Sequence, residues 1–352
     1  MAHLKHNRTR RLTPHLMLLL GANACVTIGD PDRAAYRPPS STAADARLRP
    51  FAGPKVPAAL NYPSNSPKES PANWQAILTQ RSRIRFEVLH TGRVRVPRSG
   101  MLNLAHAKLS TADGSPATDS EMFVDVFAFR FCHKSAGCFL IDSGLDSSFR
   151  PETGGNISGA FADEYIRATE QSPGQDIAAQ LEAPERASLA WPGQSPALQG
   201  VFFTHLHGDH TSGVPALPKD IRYIAGKNEA YINYFLLYYS DHLTGVRELE
   251  EIDFDGARFI APLGPAVYLF SDGSAWAIAT PGHSSGHVSY LLMTTDGPVL
   301  LTGDASHTRW GFENGVEPGW HANRPQMQAS LRQLIAFARA YPRVRVIYGH
   351  ER

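Results

Sequence analysis

Apolar residues along the chain fall into short runs with two different periods. "IRFEVLHTGRVRV" (84–96) and "EMFVDVFAFRFC" (121–132) are rich in Val and Phe and alternate in part, which predicts strands. "CFLIDSGLD" (138–146) reads as a buried strand running into a turn that carries Asp142 and Gly144, and "IRYIAG" (221–226) as another strand. A helix is predicted over 172–183, with Ser172 as cap, Pro173 in the first helical position and Ile177, Ala178 and Leu181 on one face. "KNEAYINYFLLYYSDHL" (227–243) has helical spacing and many aromatics. "WAIATPGHSSGHVSYLLM", "TTDG" and "PVLLTGDASH" (276–307) predict strand, loop, hairpin and strand. "RPQMQASLRQLIAFARA" (324–340) predicts a helix capped by Asn323 with Pro325 in its first turn, and "RVRVIYGH" (343–350) a last strand. No repeat of solenoid length is present.

Before Trp74 the pattern is lost. Lys5, Arg8, Arg10 and Arg11 precede "LTPHLMLLLGANAC", a basic region, a short apolar region and small residues ending at Cys25. That order reads as a secretory signal, with Cys25 as a lipidation site, so the protein is expected in the periplasm or on a membrane through that lipid. The alternative is a disordered basic tail on a cytoplasmic protein. Residues 31–71 are rich in Pro, Ser and Ala, a linker composition. The expected organisation is 1–25 signal peptide, 26–73 linker and 74–352 catalytic domain. Cys132 and Cys138 flank a short Gly-containing turn, which suits a cross-hairpin disulfide in an oxidising compartment or two free thiols. A net charge of +1 gives no support to a nucleic-acid partner.

Several predicted strands end in polar clusters, the densest being "THLHGDHTSG" (204–213). Only 15 of 352 residues are His, so three within 205–210 is not a composition effect. Neutral imidazole and carboxylate are the donor set of divalent metal sites. In an extended segment His205 and His207 point the same way, and after the turn at Gly208 the pair Asp209 and His210 can face a second point. Two ions can share one short loop in this manner. Further ligands are offered by His283 in "TPGHSSGH", Asp304 in "LTGDAS" and His350 in "IYGHE", each just after an apolar strand. His287, four residues beyond His283, is read as a loop support that hydrogen-bonds rather than ligates.

The order His-x-His-x-Asp-His, then His after Pro-Gly, then Gly-Asp, then Gly-His resembles the metallo-β-lactamase-fold hydrolases, as does "IDSG" at 141–144. The resemblance runs from about Phe86 to His350. It implies an α+β fold, an αββα sandwich of two mixed β-sheets flanked by helices, with a dinuclear site at the sheet edges. It gives His205, His207 and His283 to one ion, Asp209, His210 and His350 to the other, and Asp304 as the bridge. Two divalent ions are therefore expected; zinc fits, and iron, manganese or cobalt would accept the same donors. Such ions lower the pKa of bound water from ~16 to ~7, so the expected reaction is hydrolysis by metal-bound hydroxide, with Asp209 also accepting and returning a proton.

The segments "TGRVRVPRSGMLNLAH", "NEAYINYFLLYY" and "LTGDASHT" look most like the N-acyl homoserine lactonase branch, which opens an acylated lactone ring. The aromatic run Tyr231, Tyr234, Phe235, Tyr238 and Tyr239 then reads either as an acyl-binding groove or as core packing. One position departs from that branch: three residues after the bridging Asp it carries Tyr, and this chain carries His307. His307 is read as a hydrogen-bond donor to the substrate carbonyl. Alternatives are a thioester, phosphodiester or other ester hydrolase on the same scaffold, or a metal-binding surface module without turnover.

Overall fold

The computed structural model describes residues 58–62, 73–80, 83–107, 119–158, 168–229 and 240–352. Its strands are β1 (Ala58–Asn61), β2 (Ile84–Pro97), β3 (Glu121–His133), β4 (Gly137–Ile141), β5 (Ala168–Glu170), β6 (Leu198–Phe202), β7 (Arg222–Gly226), β8 (Glu248–Ile252), β9 (Arg258–Phe259), β10 (Pro265–Tyr268), β11 (Ala275–Ala279), β12 (Val288–Thr294), β13 (Gly297–Leu301) and β14 (Arg345–Ile347). One sheet runs β1-β8-β7-β6-β4-β3-β2, with β5 also on β2; the other runs β9-β10-β11-β12-β13-β14. They are joined at a single parallel pair, Thr294 with Ile84. Both sheets are mixed: β4, β6, β7 and β8 are parallel, β2, β3 and β4 antiparallel, and β13 and β14 parallel.

The period-2 geometry of a strand explains the layers. Phe202 of β6, Phe131 of β3, and Tyr290 and Leu292 of β12 share one cluster between the sheets. Val201, with Phe203 just after β6, packs on the opposite face with Ile177 of the helix Ile177–Glu182. Leu291 and Met293 pack on the opposite face of β12 against Leu331, Leu334 and Phe337 of the helix Arg324–Ala340. The result is helix, sheet, sheet, helix. Because both faces are covered, every residue of β12 is buried, as are Gly200, Val201 and Phe202 at the end of β6.

The helix Arg324–Ala340 begins as its sequence predicts, with the Asn323 side chain accepting from Gln326 N and Pro in the first turn. The helix predicted over 172–183 is shorter. Gly174 lies at φ +78, which breaks a right-handed helix, so the chain turns and Asp176 becomes the cap, accepting from Ala179 N. The stretch read as a linker to residue 73 contains β1, paired in parallel with β8, so ordered structure reaches back to Ala58. Cys132 and Cys138 sit opposite each other on β3 and β4 and form a disulfide. Cys25 and the aromatic run 231–239 lie outside the described residues. Among the described residues no helix is long and apolar enough to cross a membrane.

Candidate metal centre

All seven residues singled out as ligands sit just beyond strand ends, in loops that converge. After β6 the chain passes through His205 and His207 into a single helical turn, Gly208–Thr211, that carries Asp209 and His210. His283 lies in the loop between β11 and β12, Asp304 in the turn after β13, and His350 three residues beyond β14. The turn after β13 needs Gly303: its φ is +51, and a Cβ there would lie 2.8 Å from His287 Nε2 and 2.9 Å from Thr204 Cβ.

Asp304 is the centre of the cluster. Its Oδ2 lies 3.4 Å from His210 Nε2, 3.5 Å from His283 Nε2 and from His350 Nε2, and 3.7 Å from His205 Nε2. His307 Nε2 is at 3.1 Å. His207 Nδ1 faces His283 Nε2 at 2.8 Å, and Asp209 Oδ2 lies 3.5 Å from His210 Nε2 and 3.4 Å from His350 Nε2. The donor atoms of His205, His207 and His283 fall within 4.8 Å of one another, and so do those of Asp209, His210 and His350. These are the two sets expected from the sequence.

The outer ring nitrogens fix which face of each imidazole is free. His283 Nδ1 donates to Trp320 O (2.9 Å) and His350 Nδ1 to Asp125 O (2.9 Å). Thr204 Oγ1 donates to Asp142 Oδ2 (2.8 Å) and so accepts from His205 Nδ1 (3.1 Å); His210 Nδ1 donates to the same carboxylate (2.9 Å). A carbonyl or carboxylate can only accept, so each of these rings, when neutral, turns an Nε2 lone pair inward. His287 is arranged the other way. Its Nε2 accepts from Asp304 N (3.0 Å) and its Nδ1 meets Thr280 Oγ1 (2.9 Å), so it supports the Asp304 turn.

Burial holds His205 and His283 well below the usual imidazole range and His207 down to about 4, which keeps them in the neutral, ligating form. Burial also acts on His210 and His350, but Asp209 and Asp304 beside them raise both. Burial would raise Asp304, yet His307, His210 and His350 hold it well below the carboxylate range. Three buried atoms here, His205 Nε2, His210 Nε2 and Asp304 Oδ1, have no hydrogen-bond partner. Unpaired buried side-chain atoms also occur singly elsewhere, such as Arg130 Nε and Ser274 Oγ; here they converge among imidazoles and carboxylates, a donor set that fits divalent cations.

His307 lies in the cluster: it is 1% exposed, and its ring centroid lies 5.3 Å from that of His283 and 5.2 Å from that of His350. It differs from the backed imidazoles in one respect, because its Nδ1 is buried without a hydrogen-bond partner. Sequence reasoning missed the backing groups Thr204, Asp125 O and Trp320 O. It also missed Glu229, whose carboxyl burial pushes up to about 7. Asp142 was noticed only as a strand end; its φ of +56 marks the sharp turn that brings it under His210.

Residues 123–350 match the family model of the metallo-β-lactamase superfamily. Among curated proteins, the chain is 30% identical over 157 residues to the N-acyl homoserine lactonase AttM of Agrobacterium fabrum, covering 43% of this chain and 57% of that one. It is 28% identical over 184 residues to a hydroxyacylglutathione hydrolase of Pseudomonas entomophila, covering 50% and 59%. The chain thus spans little more than half the length of these relatives. Among solved structures, an N-acyl homoserine lactone hydrolase with N-hexanoyl-L-homoserine at its catalytic metal centre aligns with a TM-score of 0.55 at 22% identity, covering 76% of this chain and 93% of that one. At that identity the likeness speaks to the fold.

Proposed function

Since the chain belongs to the metallo-β-lactamase superfamily, we propose that it is a metal-dependent hydrolase that opens lactones of the N-acyl homoserine lactone type. The observation that carries the proposal is the buried Asp304 carboxylate with five imidazole nitrogens 3.1–3.7 Å from its Oδ2. His205, His207 and His283 would hold one divalent ion, Asp209, His210 and His350 a second, and Asp304 would lie between them. Bound there, two ions, with zinc fitting the donors as well as iron, manganese or cobalt do, supply a water of lowered pKa and a Lewis acid for a carbonyl.

The chain's own residues do the rest. Asp142, Thr204 and the carbonyls of Asp125 and Trp320 orient the imidazoles of His205, His210, His283 and His350 and favour the tautomer that presents Nε2 to an ion. Asp209 is more open than Asp304, its side chain 23% exposed against 4%, and is placed to accept a proton and return it to the leaving alkoxide. In this structure the His307 Nε2–H donates to Asp304 Oδ2 (3.1 Å); with that carboxylate held by the ions, the same N–H would be free to donate to the substrate carbonyl oxygen. The acyl chain is assigned to the aromatic run Tyr231, Tyr234, Phe235 and Tyr238.

A second reading, a thioester or other ester substrate at the same centre, is favoured by the similarity to a hydroxyacylglutathione hydrolase and by His307 standing where the lactonase branch carries Tyr. A panel of chromogenic lactone, thioester, phosphodiester and β-lactam substrates with the zinc-loaded protein separates the two. Lactone opening as the fastest reaction is expected; a thioester turned over faster would move the assignment. The proposal extends to location. The Cys132–Cys138 disulfide suits an oxidising compartment and supports export. Mass spectrometry of the mature N-terminus tests it, a lipid on Cys25 being expected and an intact Met1 or Ala2 contradicting it.

A further inference from the structure

The turn that leaves β7 carries a carboxylate outside the seven-residue set. Glu229 is buried, and its two oxygens are committed to two other loops. Oε1 accepts from Leu206 N at 3.2 Å; Oε2 accepts from Ser284 Oγ at 2.6 Å and from Gly286 N at 2.9 Å. Leu206 lies between His205 and His207, and Ser284 follows His283 directly. One carboxylate therefore holds the peptide between His205 and His207 and, through the Ser284 hydroxyl and Gly286 N–H, the loop that carries His283. None of its three donors borders Asp209, His210 or His350.

The two loops come from opposite sheets, the first from the end of β6 and the second from between β11 and β12. The β7 turn meets the second loop at close range. A Cβ at Gly226 would lie 1.9 Å from Gly286 O, and one at Gly286 would lie 2.4 Å from Glu229 N. Leu206 is fully buried in the cluster on the outer face of the first sheet, so its peptide has little room to drift. A buried carboxylate must be met by strong donors, and Glu229 meets its need with two backbone N–H groups and a hydroxyl.

Zinc takes imidazole nitrogen at ~2.0–2.1 Å, so a small change in the separation of the two loops is felt directly in affinity. Resting on the reading that His205, His207 and His283 hold one ion, we infer that Glu229 is a positioning residue that sets the spacing between the His205–His207 pair and His283 and thereby tunes the affinity of that ion alone.

The test is a zinc titration of the full chain against a competing chelator, with the melting temperature of the zinc-free protein and the visible spectrum of the cobalt-loaded protein recorded beside it. Glu229→Gln keeps the size but must turn its amide toward at least one existing donor. It should bind one ion as wild type does and the other about 10–100-fold more weakly, the range for loss of a group that supports a ligand. Its cobalt spectrum should change, and the zinc-free melting temperature should fall modestly, because one buried donor loses its acceptor. Ser284→Ala removes one hydroxyl donor and should weaken the same ion by less; it decides the matter if Glu229→Gln does not fold. Equal weakening of both ions would overturn the inference in favour of general packing, and so would no weakening of either. A wild type that binds fewer than two ions sinks the two-ion reading itself, and this inference with it.

Discussion

Asp304 and Glu317 are both carboxylates buried among ionisable partners, and they differ in what is left over. Glu317 Oε1 accepts from Arg324 Nε (2.7 Å), Asn103 Nδ2 (2.9 Å) and Gln328 Nε2 (3.2 Å), and Oε2 from His106 Nδ1. Its donors are satisfied by it and it by them. Around Asp304 the imidazoles of His205, His210, His283 and His350, when neutral, point lone pairs inward, and buried atoms remain unpaired. A closed network stabilises the fold; an open one, in a folded protein, is arranged for something else. Burial and ionisable neighbours are common to both, so neither identifies a site.

The largest way to break this comparison is to neutralise each carboxylate in turn. Asp304→Asn should lower zinc content and cut turnover by more than about 10²-fold, with little change in the melting temperature of the zinc-free protein. Glu317→Gln should leave two zinc ions bound and lower stability by about 3 kcal/mol, the usual cost of breaking a buried ionic network, read by urea denaturation. The same loss of zinc in both variants would erase the distinction.

His307 sharpens it. His307→Phe should cut kcat by about 10²-fold with metal content unchanged, as for loss of one oxyanion donor. His307→Tyr should retain lactone opening, because it restores the residue of the lactonase branch. A drop of one zinc equivalent in His307→Phe would instead place the imidazole among the ligands. The cluster of His283, Asp304 and His307 is compact enough to allow that.

The pH dependence of stability separates the two carboxylates by sign. Burial opposes ionisation of Glu317, but its hydrogen bonds with Arg324 and His106 hold it down to about 2, against an ordinary 4.5. A group depressed in the folded state contributes above its unfolded pKa, and the contribution is lost as pH falls through the folded one. The stability gap between wild type and Glu317→Gln should therefore be full at pH 6 and close between about 4.5 and about 2. A gap that persists unchanged at pH 2 would mean that shape, not charge, is lost in the variant. The smallest effect is expected at the far end of β3: replacing Cys132 and Cys138 by Ser should cost about 2 kcal/mol and leave zinc content alone.

The seven candidate ligands could be picked out in the sequence because four fall within residues 205–210 and the other three each follow an apolar strand, so motif and strand could be read together. The helix at Arg324 was legible for the same reason, since cap, proline and apolar face lie within one segment. The supporting groups were not. Asp125 and Trp320 contribute backbone carbonyls, which every residue carries, and they meet His350 and His283 across 225 and 37 positions of chain. Glu229 reads as one more polar residue until β7 is laid beside the loop between β11 and β12. β1 was hidden by composition, four residues in a Pro- and Ala-rich stretch that gain strand structure only by pairing with β8.

Metal content tests the central claim most directly. The wild-type protein, purified without chelator and equilibrated with zinc before removal of free metal, should carry two equivalents per chain by elemental analysis, with Asp304→Asn well below two and Glu317→Gln unchanged. A folded wild type that retains less than one equivalent would contradict the assignment of His205, His207, Asp209, His210, His283, Asp304 and His350 as a metal centre.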